Sequence, residues 1–290
     1  MGVLNQSPPY NLFGLESDYK SARIAVLPVP YEGTVSYRPG TRYGPRAIID
    51  ASRNIELYSE ELELDVSRAG IYTLEEMLPN VDSPEKMITD VKKETEVILN
   101  DGKIPLILGG EHSISVGSIS ALADRGKDFS VIHFDAHSDS RDVFMGSKYS
   151  HACVMKRVAD MSVDYMSVGV RSIDEEGYKH KERILFRKEM HSIGDNGKIA
   201  DLITKGTKDN VYLTFDFDVM DPSEMPSVGT PEPDGLLFYE ICHILRTVLA
   251  QKNLIGLDFV ELSPIPGFAA PDFVAAKLIY NIIGYAFSKK

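Results

Sequence analysis

Three segments of this chain carry acidic and histidine side chains at spacings that could do chemistry. In the first, Asp135, His137 and Asp139 stand two residues apart at the end of the apolar run 129–134. Because alternate residues of an extended chain point to the same side, these three side chains are expected to share one face. Carboxylate oxygens and an imidazole nitrogen that converge are ligands for a divalent metal ion. Taken alone, the segment fits solvated turn residues as well, so the metal prediction depends on the other two segments.

The other two segments supply further ligands of the same kind. Asp216 and Asp218 follow the apolar run 211–215 and again share a face, while a glycine turn at 109–110 follows another apolar run and leads into His112. A buried carboxylate without a partner is costly, so paired aspartates at the end of an apolar strand need a cation. Four aspartates and two histidines at three strand ends predict a centre of two metal ions, with these candidate ligands: His112, Asp135, His137, Asp139, Asp216 and Asp218.

Short apolar runs alternate with helical patterns along the chain. The runs are rich in Val and Ile and predict buried parallel strands at 23–29, 104–108, 129–134, 165–170, 211–215 and 254–259. Helical patterns lie at 83–99, 114–124, 237–251 and 271–287. This alternation predicts an α/β fold with three layers, a central parallel sheet with helices on both faces. Sites in such sheets form at the carboxyl ends of the strands, where His112, Asp135 and Asp216 fall.

Composition places limits on the class of protein. The chain has 290 residues, 43% of them hydrophobic and 26% charged, and no linker or repeat divides it, so we expect a single domain over 1–290. Two cysteines, Cys153 and Cys242, make no disulfide framework and favour the cytoplasm. Residues 1–9 have neither a signal-peptide pattern nor a myristoylation pattern, since Gln6 stands where Ser or Thr is needed.

Charge and hydropathy restrict the partners. The formal net charge of −12 argues against a nucleic-acid partner, because phosphate binding requires a basic surface. It is compatible with a small cationic substrate, which a negative field attracts. No apolar stretch is long enough for a membrane span, so no membrane partner is expected.

The three metal-site segments resemble the signatures of the ureohydrolase (arginase/agmatinase) family. They read Gly-Gly-Glu-His-Ser at 109–113, Asp-Ala-His-Ser-Asp at 135–139 and Asp-Phe-Asp-Val-Met-Asp-Pro at 216–222. Further segments that resemble this family lie at 30–40, 44–49, 229–233 and 258–261. The chain departs from the family at Glu111, where Asp is usual, and at Asp234, where a second glycine is common. Neither position is a metal ligand in the family.

The resemblance implies an arginase-like fold, two Mn²⁺ per subunit, and hydrolysis of a guanidino group to urea and an amine by a metal-bridging hydroxide. One ion would be held by His112, Asp135, Asp139 and Asp216, and the other by Asp135, His137, Asp216 and Asp218. Asp139 would pass a proton to the leaving amine, and His151 would act as a proton shuttle at the pocket mouth. Glu261 would pair with the guanidinium through two charge-assisted hydrogen bonds. The family's habit also implies a homo-oligomer, a trimer or a hexamer.

The choice of guanidine depends on the residues around His151. Arginases have a Ser-x-Asn-x-His-Gly pattern there, which serves the amino-acid end of arginine, whereas this chain has Ser147, Tyr149, His151 and Ala152 at those positions. The difference favours a decarboxylated substrate, agmatine, which would yield putrescine and urea in polyamine biosynthesis. Guanidinobutyrate, guanidinopropionate, aminopropyl-agmatine and arginine stay open as substrates.

Rival classes are less well supported by the sequence. A dinuclear metallophosphoesterase would need Gly-Asp-x-x-Asp and Gly-Asn-His-Glu segments, which the chain lacks. A zinc deacetylase of related architecture keeps one metal, whereas the chain has all six candidate ligands. An inactive metal-binding homologue is a remote alternative.

Overall fold

A parallel sheet of eight strands forms the centre of the molecule in the computed structural model, which describes residues 9–287. Within that range the strands are β1 (Ile24–Val29), β2 (Tyr58–Ser59), β3 (Leu64–Asp65), β4 (Ile71–Thr73), β5 (Ile104–Gly109), β6 (Ser130–Phe134), β7 (Asp164–Val170), β8 (Ile184–Phe186), β9 (Asn210–Asp216) and β10 (Asn253–Val260). The sheet has the order β4-β1-β5-β10-β9-β6-β7-β8, and β2 and β3 form a separate antiparallel pair. The expectations about targeting signals concern residues 1–9, of which 1–8 lie outside the described residues.

Helices cover both faces of this sheet. They are α1 (Gly44–Ser52), α2 (Pro84–Asn100), α3 (Ser115–Ala123), α4 (Val154–Asp160), α5 (Glu175–Tyr178), α6 (Arg187–Ile193), α7 (Asn196–Lys205), α8 (Phe238–Gln251) and α9 (Ala270–Phe287). Helix α3 contacts α2 and α4, whereas α8 contacts α7 and α9, and α9 also contacts α1. The helices therefore form two layers with the sheet between them.

The strands are largely apolar because both faces of the sheet are buried. In β1, Ile24 and Val26 belong to the apolar cluster that includes α1, α8 and α9, while Ala25 and Leu27 belong to the cluster that includes α2. Successive residues of a strand point to opposite faces, so a strand covered on both sides is expected to be mainly apolar at successive positions.

The predicted architecture is confirmed. All six predicted strands and all four predicted helices are present, each within one residue of the expected bounds, and the six strands pair in parallel. The sequence patterns missed the two edge strands, β4 and β8, which have only three residues each. Between residues 9 and 287, no helix combines the length and the apolar character that crossing a bilayer requires.

Candidate metal centre and active site

The candidate site forms where four neighbouring strands end. Strands β5, β10, β9 and β6 are adjacent in the sheet, and all four run in the same direction. The segment after β5 carries His112, β9 ends with Asp216, and Glu261 directly follows β10. Asp135 directly follows β6 and begins the segment that also contains His137 and Asp139. Parallel strands bring their carboxyl ends to one edge, so residues far apart in sequence meet there.

His112 lies at the centre of one group of carboxylates. Its Nδ1 is 3.0 Å from Asp139 Oδ2, 3.2 Å from Asp135 Oδ2 and 3.4 Å from Asp216 Oδ2. The imidazole is buried, and its Nδ1 has no partner in hydrogen-bond geometry. A buried polar atom with no partner is costly, and three carboxylate oxygens around it make a set of ligands for a cation.

A second group forms around His137. Its Nδ1 is 2.8 Å from Asp218 Oδ2 and 3.5 Å from Asp135 Oδ1. Asp135 thus faces both histidines, with Oδ2 toward His112 and Oδ1 toward His137. The two groups meet at this one carboxylate, which is the arrangement that a pair of neighbouring cations requires. Asp216 lies close enough to Asp135 and Asp218 for their charges to act on it.

Backbone amides hold the carboxylates in place. The His137 N–H donates to Asp135 Oδ1 at 2.5 Å, and the Ala136 N–H donates to Asp218 Oδ1 at 3.0 Å. The Asp218 N–H donates to Asp216 Oδ1 at 2.7 Å. In Asp216 and Asp218 one oxygen is therefore anchored, while the other faces an imidazole. The carboxylates are oriented by the fold before any ion arrives, which is how metal sites are preorganised.

Two of the site residues adopt an unfavourable backbone conformation. Asp139 has φ +44° and Glu261 has φ +66°, both in the left-handed region that side chains with a Cβ rarely occupy. Such conformations cost about 1–3 kcal/mol each and persist where surrounding contacts impose them, often at functional sites.

Electrostatics favour positive charge here. Burial and the charges of Asp218 and Asp135 hold the pKa of Asp216 well above its usual range. Burial disfavours the charged form of His137, but the carboxylates of Asp218 and Asp135 outweigh it and raise the pKa of His137 to about 12. The pKa of His112 is likewise raised, because Asp135, Asp139 and Asp216 outweigh its burial. The crowded carboxylates thus stabilise whatever cation lies between them, and their oxygen and imidazole donors fit divalent ions.

A row of polar side chains crosses the sheet directly below the carboxylates. Asp258, Thr214, His133 and Ser167 are register neighbours on β10, β9, β6 and β7. The Thr214 hydroxyl donates to Asp258 Oδ1 at 2.7 Å, and its oxygen lies 2.9 Å from His112 Nε2. Since a hydroxyl has one proton to donate, Thr214 accepts from the Nε2–H of His112. In the neutral ring, which a metal ion requires, the lone pair would then lie on Nδ1, facing the carboxylates.

His133 is the site residue that the sequence interpretation missed. Its Nε2 lies 2.8 Å from Asp135 Oδ2 and its Nδ1 lies 2.9 Å from Ser167 Oγ. The ligand atoms of His112, His133, Asp135 and Asp139 all lie within 4.8 Å of one another. The sequence did contain the signal, because His133 stands two residues before Asp135 and so shares its face.

The carboxylates open into a cavity of about 240 Å³. Its lining includes Val35, Ser36, Tyr37, His137, Ser138, Asp139, Arg141, Phe144, His151, Ala152, Ser172, Ile173, Asp174, Asp216, Asp218, Gly229, Thr230 and Glu261. Glu261 Oε1 accepts a hydrogen bond from the His112 N–H at 2.6 Å. The fold therefore brings His151 and Glu261, both predicted as catalytic from the sequence, to the same cavity as the metal-ligand candidates.

Tyr149, which the sequence interpretation placed near the substrate, is not among the lining residues. Its ring packs against the apolar cluster that contains Val116, Val154 and Val158 of α3 and α4. Tyr149 is partly buried and packs against that cluster, so its side chain is not part of the cavity wall.

Comparison with known proteins identifies the family. The model of the arginase family matches residues 22–284. The chain belongs to the arginase family. The identification of the ureohydrolase (arginase/agmatinase) family from the sequence is thereby confirmed, and the prediction of a hydrolase is confirmed with it.

Individual relatives agree with this assignment. The chain is 38% identical to the N(1)-aminopropylagmatine ureohydrolase of Synechocystis sp. over 93% of this chain and 90% of that relative. It is 33% identical to the agmatinase of Pyrococcus horikoshii over 95% and 97% of the two chains. The crystal structure of the agmatine ureohydrolase of Thermoplasma volcanium superposes with a TM-score of 0.87 at 32% identity, covering 96% of this chain and 94% of that one.

Proposed function

We propose that this arginase-family member hydrolyses agmatine to putrescine and urea in a manganese-dependent reaction. The observation that carries the proposal is that two histidine–carboxylate groups meet at Asp135 and open into a cavity shared with Glu261 and His151. Family membership supports the reaction class. The acids that line the cavity support a cationic substrate, because they stabilise positive charge.

The six candidate ligands would hold two Mn²⁺ ions. The first ion would be held by His112, Asp135, Asp139 and Asp216, and the second by Asp135, His137, Asp216 and Asp218. A donor set of oxygen and imidazole without thiolate suits manganese, and the unpartnered Nδ1 of buried His112 fits a bound ion. When bound, such a pair of ions would supply the activation of water near neutral pH that attack on a guanidinium carbon requires.

The remaining residues would bind the substrate and move protons. Glu261 would accept hydrogen bonds from the guanidinium, since its carboxylate lines the cavity and its Oε1 is held by the His112 N–H. Asp139 would hand a proton to the leaving amine, which departs only when protonated. His151, in the cavity wall, would exchange that proton with solvent.

The far end of the substrate would lie at the mouth of the cavity. Asp174 lines the mouth, and its Oδ2 pairs with Arg141 Nη1 at 3.2 Å. Since Arg141 already has a carboxylate partner, it is poorly placed to attract the carboxylate of arginine or guanidinobutyrate. Tyr149 packs against the apolar cluster of α3 and α4 and does not line the cavity, so it supplies no second polar contact in the cavity wall. Both observations favour an amine at that end of the substrate.

N(1)-aminopropylagmatine is a second candidate substrate. The specific observation in its favour is that relatives at 38% and 37% identity, from Synechocystis sp. and Thermus thermophilus, are N(1)-aminopropylagmatine ureohydrolases. This compound also ends in amines and carries the same guanidino group. Its extra propylamine would extend past the mouth of the cavity.

Urea release tests the proposal. The manganese-loaded chain would be offered agmatine, N(1)-aminopropylagmatine, guanidinobutyrate and arginine separately, and kcat/KM would be compared. A preference for agmatine is expected, whereas a preference for the aminopropyl compound would select the second candidate. Efficient hydrolysis of arginine or guanidinobutyrate would refute the argument from Arg141 and Tyr149. Absence of urea with all four would revive the inactive homologue.

Other expectations extend the same proposal. We expect residues 1–290 to act as one ureohydrolase domain, in the cytoplasm, without a nucleic-acid partner. Cys153 and Cys242 are both unpaired and buried, consistent with a reducing compartment. A trimer or hexamer stays a prediction, and light scattering of the purified chain would measure it.

A further inference from the structure

Glu111, in the segment after β5, is a fully buried carboxylate with four hydrogen bonds. Its Oε2 accepts from the Gly33 and Thr34 N–H groups, both at 2.6 Å. Its Oε1 accepts from the hydroxyls of Thr34 at 2.8 Å and Ser113 at 2.5 Å. These bonds tie the segment after β5 to the segment after β1, whose next residue, Val35, lines the cavity. An aspartate here would fall short of these donors by about 1.5 Å, the length of one carbon–carbon bond.

Thr34 connects this carboxylate to His151. The Thr34 oxygen accepts from the His151 N–H at 3.0 Å and lies 3.1 Å from His151 Nδ1. Ser150 Oγ, at 3.3 Å, is the other oxygen near Nδ1, and Ser36 Oγ lies 3.5 Å from Nε2. Glu111, Thr34 and His151 are separated by 77 and 117 residues in the sequence, so only the fold brings them together.

The directions of these hydrogen bonds assign the tautomer of His151. A carboxylate only accepts, so the single hydroxyl proton of Thr34 is donated to Glu111. The Thr34 oxygen can then only accept, so a proton on Nδ1 of the neutral ring completes the 3.1 Å contact, which is shorter than the 3.3 Å contact of Nδ1 with Ser150 Oγ. The lone pair lies on Nε2, which is the nitrogen able to take up a proton. The second hydrogen bond of a histidine commonly sets which nitrogen does the chemistry.

We propose that Glu111 and Thr34 are positioning residues for His151, acting through the hydrogen-bonded series Glu111–Thr34–His151. The proposal builds on the shuttle role given to His151 in the proposed function. Glu111 holds Thr34 by its amide and its hydroxyl, and Thr34 in turn holds His151 by its amide and its ring. The same carboxylate therefore sets the cavity wall at Val35 and the orientation of the proton-exchanging ring.

The test compares Thr34→Val, which removes the hydroxyl at nearly constant volume, with Thr34→Ser, which keeps it. We expect Thr34→Val to lower kcat by about 10- to 100-fold, part of the 10²–10⁴ that a proton-transfer group contributes, with KM and manganese content unchanged. Thr34→Ser should stay within about three-fold of the parent chain, because a hydroxyl is what the series requires. A general loss of fold would instead reduce metal content and affect both variants.

The tautomer provides a readout that does not depend on turnover. The full chain, labelled with ¹⁵N-histidine and loaded with diamagnetic zinc, would be examined by NMR at pH 8, with His151→Ala used to assign the ring signals. We expect the Nδ1–H form of His151 in the parent chain and in Thr34→Ser, and a shift toward the Nε2–H form in Thr34→Val. An unchanged tautomer in Thr34→Val would overturn the proposal.

Two further variants keep the outcomes separate. If Thr34→Val does not fold, Glu111→Asp can be used instead, because it retracts the carboxylate while keeping its charge. Glu111→Asp should shift the His151 tautomer toward the Nε2–H form as well. An unchanged tautomer in Glu111→Asp would also overturn the positioning role. His151→Ala tests the proposed function on its own. Unchanged turnover in His151→Ala would remove the shuttle role, whereas the NMR result would still decide what orients the ring.

Discussion

Replacing His133 with phenylalanine should weaken metal binding without removing a ligand. Phenylalanine keeps the ring in a fully buried position but removes both nitrogens. Asp135 Oδ2 then loses the donor that lies 2.8 Å away, and Ser167 Oγ loses its partner at 2.9 Å. Because Asp135 faces both His112 and His137, the change should affect both proposed ions.

The size of the effect follows from the kind of hydrogen bond that is lost. A hydrogen bond to a charged group contributes about 1.5–3 kcal/mol. Since about 1.4 kcal/mol corresponds to a tenfold change in a binding constant, manganese affinity should fall by about 10- to 100-fold. This range agrees with the effect of removing outer hydrogen-bond partners in other metal sites, also about 10- to 100-fold.

Competition with a chelator would measure the manganese affinity, and elemental analysis at saturating manganese would give the number of ions per chain. Ser167→Ala is the matched control, because it removes the hydrogen-bond partner of His133 but leaves the hydrogen bond from His133 to Asp135 in place. Its loss of manganese affinity should be smaller. Parent-like affinity in folded His133→Phe would refute the reasoning. Loss of one ion per chain even at saturating manganese would instead place His133 among the ligands.

Three further substitutions test other parts of the structure. Asp135→Asn should lower manganese content as well as turnover, because one carboxylate faces both histidines; full occupancy by elemental analysis would contradict the bridging role. Glu261→Gln should lower kcat/KM by about 30-fold or more while both ions stay bound, because a charge partner of the guanidinium is lost; loss of metal would make Glu261 a ligand. Asp272→Asn should stabilise the chain at pH 8 but not at pH 4, because burial raises the pKa of Asp272 from 3.8 to about 6 and its Oδ1 has no hydrogen-bond partner. The carboxylate is protonated in both folded and unfolded chains below pH 4 and ionised in both above pH 6, so its burial cost is present only at higher pH. Two pKa units correspond to about 3 kcal/mol, and partial exposure reduces the expected gain to about 1–2 kcal/mol; equal urea midpoints at pH 8 would contradict this expectation.

Local patterns were enough to predict most of the framework. Buried parallel strands are largely apolar, and this signal depends only on neighbouring residues, so six strands and four helices could be located to within one residue. The four missed strands, the edge strands β4 and β8 and the separate pair β2 and β3, have only two or three residues each and are too short for such a pattern. The alternation of side chains along a strand also grouped Asp135 with His137 and Asp139. The same alternation, extended two residues toward the N-terminus from Asp135, would also have identified His133.

The sequence by itself determined which donor groups stand at the strand ends and which of them share a face, because these properties are local to each segment. Only the tertiary structure decided which partners those groups meet. It placed Ser167 beside His133 through cross-strand register, brought Thr214 to the imidazole of His112, packed Tyr149 against the helices α3 and α4, and joined Glu111 to His151 through Thr34. Such contacts depend on the order of strands in the sheet and on how loops close over it. These are set by packing across the whole chain, and no short stretch of sequence contains them.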